Sequence, residues 1–163
     1  MQVSNEKPIF IVDAMLGKLA KKLRLLGYDS FYSSNMEDDK IIQLAKKENR
    51  ILITKDVPLT QKAKKQQILT VQITSDDEIE QFLQINEKTS FGKCTVGGDN
   101  SRCPVCNGEL QHIEKKDVSD KVPKGVLEKI DNFWNCTNCY KIYWEGTHIE
   151  RLQKFVDELN EKL

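Results

Sequence analysis

Short apolar runs alternate with helical stripes along the first half of the chain. Residues 8–12, Pro-Ile-Phe-Ile-Val, form a continuous apolar run rich in β-branched side chains, the pattern of a strand buried on both faces. Leu16, Leu19, Leu23 and Leu26 then recur at helical spacing, and Gly27 stands where a C-terminal cap belongs. Residues 29–34 predict a second strand. Asn35 is placed to cap a helix whose apolar face is Ile41, Ile42, Leu44 and Ala45. Residues 50–54, Arg-Ile-Leu-Ile-Thr, predict the next buried strand, and residues 57–67 a short helix with Pro58 in its first turn. Residues 68–74 predict another strand. Ser75-Asp76-Asp77-Glu78 reads as a capping box opening a helix over residues 78–86.

Strand and helix alternate throughout, which predicts an α/β domain in three layers, a mainly parallel sheet covered by helices, over residues 7–87. Periodicity stops at a stretch rich in Gly, Ser and Asn, so residues 88–100 read as a linker. A cysteine module follows over residues 101–146. Residues 147–163 place Ile149, Leu152, Phe155, Val156, Leu159 and Leu163 on one face, an amphipathic helix that must dock on the α/β domain or on the module.

Composition narrows the classes. Lys+Arg and Asp+Glu are equal at 25 each, so net charge points to no polyanion and local patches must be read instead. The first residues lack the pattern of a signal peptide, and no apolar stretch approaches the ~20 residues of a membrane span, so a cytoplasmic, thiol-reducing location is expected. Five cysteines, an odd number, suit a disulfide framework poorly. Four of them form two Cys-x-x-Cys pairs, Cys103/Cys106 and Cys136/Cys139, the spacing of two knuckles that close a tetrahedral thiolate site for zinc. Binding energy would then become folding energy for a module too small to carry its own core. Four thiolates leave no open position, so the zinc is expected to be structural, and the module stabilises, binds a partner, or both. A redox pair made of Cys103-Pro104-Val105-Cys106 fits less well. Such a pair sits at a helix start in a βαβ pattern, and here the preceding residues are loop-like and a second pair is present. Cys94 lacks a matching partner and reads as a free thiol.

Asp13 stands directly after the first strand and Asp56 directly after the third predicted one. Loops at the carboxyl ends of parallel strands build ligand sites. Glu37, Asp38 and Asp39, at the start of the intervening helix, bring a third carboxylate source toward the same edge. Each acid alone reads as a cap or turn residue; Asp13, Asp38 and Asp56 together read as a hard oxygen site for Mg²⁺ or Mn²⁺. Such ions activate water and stabilise attack at phosphorus. A receiver domain would want further acids beside Asp13, and a phosphatase of the Asp-x-Asp type would want an acid at Met15. Lys18, Lys21, Lys22 and Arg24 on the first helix, with Lys55 beside Asp56, are placed to hold a phosphate backbone, although any one of them alone reads as part of a solvated face. Trp134, Tyr140, Tyr143 and Trp144 either stack bases or fill the small module.

Three stretches together carry a family resemblance: Val-Asp-Ala-Met-Leu-Gly-Lys-Leu-Ala-Lys-Lys-Leu-Arg-Leu-Leu-Gly-Tyr-Asp from Val12, Thr-Lys-Asp at 54–56, and the paired cysteines with Tyr-Trp-Glu-Gly-Thr-His at 143–148. They resemble the Mut-seven C-terminal family, PIN-like ribonuclease domains carrying a C-terminal zinc ribbon, over nearly the whole chain. The resemblance implies a metal-dependent ribonuclease with Asp13 as the first acid, Asp38 as the helix acid and Asp56 as the strand-end acid. Cys103, Cys106, Cys136 and Cys139 match the ribbon ligands. A fourth acid, common in PIN domains, has Glu37 and Asp39 as candidates, and Cys94 and the Gly-Gly-Asp segment depart from the pattern. The expected activity is endonucleolytic cleavage of single-stranded RNA, leaving 5′-phosphate and 3′-hydroxyl ends. The alternative is a non-catalytic adaptor that binds RNA or a ribosome through the ribbon.

Overall fold

The computed structural model describes residues 6–89 and 91–163. Its first part alternates as the apolar pattern predicts: β1 (Phe10–Val12), α1 (Gly17–Leu25), β2 (Ser30–Tyr32), α2 (Asp38–Glu48), β3 (Ile51–Thr54), α3 (Val57–Lys65), β4 (Thr70–Gln72) and α4 (Glu78–Thr89). A 3-10 turn over Ala14–Leu16 joins β1 to α1. The four strands make one parallel sheet in the order β2-β1-β3-β4. Alternation along each strand sorts side chains between two cores. Phe10, Val12, Ile53 and Val71 join the leucines of α1 and Phe82 and Ile85 of α4. Ile11 and Leu52 point the other way, onto Ile41, Ile42 and Ala45 of α2 and Leu59 and Ala63 of α3. Both faces are covered, which is why these strands read as unbroken apolar runs.

Two predicted caps are corrected. Asn35 does not cap α2: its Oδ1 accepts a bond from the Ser33 hydroxyl at 3.0 Å, and the helix starts at Asp38 after Glu37. The cap of α4 is Asp77, whose Oδ1 accepts from the Glu80 N–H at 2.9 Å, while Ser75 Oγ accepts from the Asp77 N–H. The Gly27 expectation holds. At φ +91° it follows α1 and returns its N–H to the Arg24 carbonyl at 3.0 Å.

The second part contains β5 (Leu110–Ile113), α5 (Lys115–Val118), α6 (Lys124–Lys129), β6 (Phe133–Cys136), β7 (Ile142–Trp144) and α7 (His148–Lys162). The three strands form an antiparallel sheet. The segment holding α5 and α6 closes a small core, in which Val118 and Val122 meet Phe133. α7 buries Leu152, Val156 and Leu159 against the first core of the α/β part, and Phe155 meets Phe82 edge-on at 5.3 Å. Residues 91–100 are packed rather than loose. Phe91 lies 5.3 Å from the Tyr28 ring, and the backbone of buried Cys94 exchanges two hydrogen bonds with the Asn160 amide, at 2.8 and 2.9 Å. Asp99 accepts from the Trp134 indole N–H at 2.8 Å.

Candidate active site and metal centre

β1 and β3 are neighbours, so the residues that follow them emerge side by side at the carboxyl edge of the sheet. The ladder continues one step beyond β1, with the Asp13 N–H donating to the Ile53 carbonyl at 2.9 Å. Asp13 Oδ1 then accepts from the Ala14 N–H at 2.7 Å, capping the 3-10 turn, and Oδ2 accepts from the Thr54 hydroxyl at 2.8 Å. The same Thr54 oxygen accepts from the Asp56 N–H at 3.0 Å, so one fully buried hydroxyl ties both acids to the end of β3. Asp56 Oδ1 caps α3 by accepting from the Leu59 N–H at 2.8 Å. Tyr32, at the end of β2, holds the turn from the side by donating to the Ala14 carbonyl at 3.0 Å. A Cβ on Gly17 would stand 2.8 Å from that hydroxyl, so a larger residue there would push the Tyr32 ring aside.

Asp38 opens α2 on the same edge. Its carboxyl is held above the ordinary carboxylate range, first by partial desolvation and then by the negative charges of Asp56 and Asp13; Lys62 opposes the shift and Asp39 adds to it. Asp38 thus lies within electrostatic reach of both Asp56 and Asp13. The three acids are not a closed cage. Among the described residues, the four cysteines form the group placed to hold a metal ion, their ligand atoms all within 4.8 Å of one another. Oxygen ligands of this kind suit a hard divalent cation, which would relieve the repulsion Asp38 feels from Asp56 and Asp13. Of the fourth-acid candidates, Asp39 is paired with Lys62, and Glu37 is exposed at the helix entry.

The basic residues divide. Lys18 and Lys21 are exposed on α1 and carry no ion pair among the described residues. Lys22 pairs with Glu78 at 2.6 Å and lies 4.0 Å over the Phe155 ring, and Lys55 pairs with Asp76. Arg24 is a correction. It is 5 % exposed and spends its guanidinium on main-chain carbonyls, so it offers nothing to a phosphate backbone. The hint lay in Ala20, a buried small residue one helical turn before it, which widens the apolar stripe toward Arg24.

The second centre is the cysteine cluster. Cys103 and Cys139 sulfurs are 3.7 Å apart, and those of Cys106 and Cys136 are 3.3 Å apart. Zinc–sulfur bonds of about 2.3 Å in a tetrahedron set sulfurs about 3.8 Å apart, so the four thiols fit a metal such as zinc. The N–H groups of Asn138 and Cys139 both point at Cys136 Sγ, at 3.4 Å. A Cβ on Gly108 would stand 2.6 Å from that sulfur. Cys139 is pushed up to about 12: its bond from the Lys141 N–H lowers it, but burial and the neighbouring sulfurs outweigh that. Burial would also raise Cys106, yet hydrogen bonds from Asn138, Cys136 and Gly108 bring it to about 6.

The aromatic residues of the module separate as well. Trp134 is buried, Trp144 packs 6.2 Å from Phe133, and the Tyr143 hydroxyl sits 2.9 Å from Cys103 Sγ; these three fill the module. Tyr140 is 75 % exposed and left-handed at φ +64°. His148 is neither ligand nor cap but the first residue of α7, after Thr147. Cys94 is a buried thiol apart from the cluster, raised by that burial.

Among protein families, the Mut7-C RNAse domain matches residues 8–156, in line with the resemblance carried by the motifs. No curated protein and no solved structure matches the chain.

Proposed function

The chain belongs to the Mut7-C RNAse domain family, and from that premise we propose that it is a divalent-metal-dependent endoribonuclease acting on single-stranded RNA, with a PIN-like catalytic domain. The observation that carries this reading is the coupling of Asp13, Asp38 and Asp56 at one sheet edge. These carboxylates would hold Mg²⁺ or Mn²⁺. When bound, such an ion polarises the scissile phosphate and lowers the pKa of attacking water. The chain's own part is positional. Thr54 fixes the Asp13 carboxylate by its hydroxyl and Asp56 through its N–H. The α3 cap orients one Asp56 oxygen. Lys18 and Lys21 are the exposed cations available to the RNA backbone, and Lys22 and Lys55 could join only by leaving Glu78 and Asp76. By analogy with the family, water attacks phosphorus in line as the P–O3′ bond breaks and the 3′ oxygen leaves and takes up a proton, which gives 5′-phosphate and 3′-hydroxyl ends. The domain division at 7–87, 101–146 and 147–163, and a cytoplasmic location, belong to the same reading.

Zinc at Cys103, Cys106, Cys136 and Cys139 would be structural, because four thiolates complete a tetrahedral shell. The test is cleavage of a labelled mixed-sequence RNA with Mn²⁺, Mg²⁺ or EDTA, beside folded Asp13→Asn and Asp38→Asn proteins. Divalent-dependent cleavage that falls to below about 1 % of wild type in both variants supports the reading, the scale expected when a charge-stabilising group is lost. Cleavage indifferent to both overturns it.

One observation favours a second reading, an RNA- or ribosome-binding adaptor. Tyr140 is both exposed and held left-handed, a conformation that costs a non-glycine residue about 1–2 kcal/mol. A strained, exposed aromatic at the ribbon tip suits stacking on a base. RNA binding that survives EDTA, is lost in Tyr140→Gly and is accompanied by no cleavage would select the adaptor.

A further inference from the structure

Arg24 takes no part in the chemistry above, yet its contacts reach the metal centre. Nε donates to the Ser30 carbonyl at 2.9 Å. Nη1 donates to the carbonyls of Pro104 at 3.0 Å and Val105 at 3.4 Å, the two residues between Cys103 and Cys106. The Arg24 carbonyl accepts from the Arg102 N–H at 2.8 Å. Asn107 answers from the module. Its Oδ1 accepts from the Ser30 N–H at 3.0 Å, and its Nδ2 donates to Asp29 at 2.7 Å. Asp29 is paired with Arg50 at 2.8 Å, and Arg50 donates to the Phe10 carbonyl at 3.0 Å. Hydrogen bonds thus run unbroken from the first knuckle to the starts of β2 and β1.

Burial is the largest influence on Arg24 and lowers its pKa, as does Arg102, while Cys103, Cys106 and Asp29 act in the opposite direction; what ties Arg24 to the metal centre is its hydrogen-bond geometry. A divalent ion in four thiolates keeps a net negative charge, and a buried charge of that kind needs cations and donors around it. Arg24 supplies the cation from the α/β part, and its fork pins the backbone that presents two of the sulfurs.

We propose that Arg24 is an outer-sphere positioning residue of the four-cysteine metal centre, and that through Arg24 and Asn107 metal retention is coupled to the order of the β1–β2 edge. The proposal rests on the cysteines holding zinc and not on RNA cleavage. The clasp joins the amino edge of the sheet, whereas the acids stand at the carboxyl edge, about 10 Å away along β1. Any effect on cleavage therefore passes through strand order rather than contact with substrate. The coupling is reciprocal: whatever loosens the edge weakens metal binding, and metal loss loosens the edge.

The test uses the full chain loaded with zinc, with zinc transfer to a chromophoric chelator and amide hydrogen exchange as readouts. Arg24→Gln is expected to weaken zinc retention by about 10–100-fold, the range for lost outer-sphere partners. Arg24→Lys should recover part of it, and Arg151→Gln, an exposed arginine on α7, should match wild type. Asn107→Gly keeps the left-handed backbone at φ +68° and deletes both side-chain bonds, so it serves if Arg24→Gln fails to fold. It should speed exchange of the Ser30 amide at least about tenfold with zinc bound, as zinc removal should in wild type. Wild-type zinc retention in folded Arg24→Gln, a Ser30 amide indifferent both to zinc and to Asn107→Gly, or a protein that binds no zinc on reconstitution would each overturn the proposal. RNA cleavage enters none of these readouts.

Discussion

The Thr54 hydroxyl donates to Asp13 Oδ2 at 2.8 Å while accepting from the Asp56 N–H at 3.0 Å. A single buried oxygen thus sets the relative placement of two acids that lie 43 positions apart in the chain. Thr54→Val keeps the shape and removes both bonds. It should cost about 1–3 kcal/mol of stability, because a buried N–H and a carboxylate oxygen each lose a partner. It should also raise the Mn²⁺ concentration needed for half-maximal cleavage by about 10–100-fold. Thr54→Ser should restore the metal dependence. Chemical denaturation and a metal titration of cleavage check the two halves, and an unchanged Mn²⁺ requirement in Thr54→Val would remove Thr54 from the site.

Asp56 has two separable duties. Its side chain caps α3, and its charge couples to Asp38. Asparagine caps a helix about as well as aspartate, whereas alanine does not. Asp56→Asn should therefore stay within a few tenths of a kcal/mol of wild type in stability, and Asp56→Ala should lose about 1 kcal/mol. Both should lose cleavage. Equal unfolding midpoints for the two variants would mean that the cap contributes nothing; retained cleavage in Asp56→Asn would mean that the charge is not used.

These two residues show where sequence is legible. Asp13 and Asp56 could be placed because buried strands announce themselves as apolar runs, and an acid at the end of such a run has one edge to go to. The cysteine knuckles were legible because ligand spacing is local. Thr54 was invisible, since a threonine in a strand has ordinary reasons to be there. Arg24 misled for the opposite reason. A basic residue on an amphipathic helix reads as solvated, and its partners, the carbonyls of Pro104 and Val105, belong to a knuckle 80 residues away. Residues 88–100 read as a linker by composition, yet Lys88 and Thr89 end α4, and Phe91 and Cys94 lie in or against the main core, where long-range contacts override local pattern. The Asn35 and Ser75 caps each missed by two residues, the positions being held by Glu37 and Asp77.

Gly108 tests the metal centre without touching a ligand. Its backbone φ lies outside the left-handed region, so the demand for glycine there is steric. A Cβ would stand 2.6 Å from Cys136 Sγ and 3.2 Å from Cys106 Sγ, and the N–H at this position also supports Cys106. Gly108→Ala should spread the cluster and release zinc about 10–100-fold faster than wild type, on the scale of other disturbances around a metal's first ligands. Metal content after gel filtration against a chelator reads this directly. Full zinc retention would show that the knuckle yields easily at this point.

Asp38 provides a pH test whose sign is fixed by its neighbours. Desolvation, then Asp56 and Asp13, raise its folded pKa above the unfolded value. The folded state thus holds the proton more tightly, and stability falls as pH rises from the unfolded pKa through the raised folded one. At neutral pH the ionised Asp38 carboxylate opposes folding. Because Asp38 is exposed and its repulsion is screened by solvent, Asp38→Asn should raise the melting temperature of the metal-free protein at pH 7 only slightly, by about a degree or less. The gain should shrink as pH falls through the carboxylate range, where wild-type Asp38 is itself protonated. Added Mn²⁺ should reverse the order at pH 7, stabilising wild type over Asp38→Asn, because the cation turns the repelling carboxylates into ligands. Melting curves at about pH 3, below the unperturbed carboxylate pKa, and at pH 7, with and without Mn²⁺, give all four comparisons. A destabilised Asp38→Asn at pH 7 without the ion would place Asp38 among the helix-start acids that serve the dipole alone.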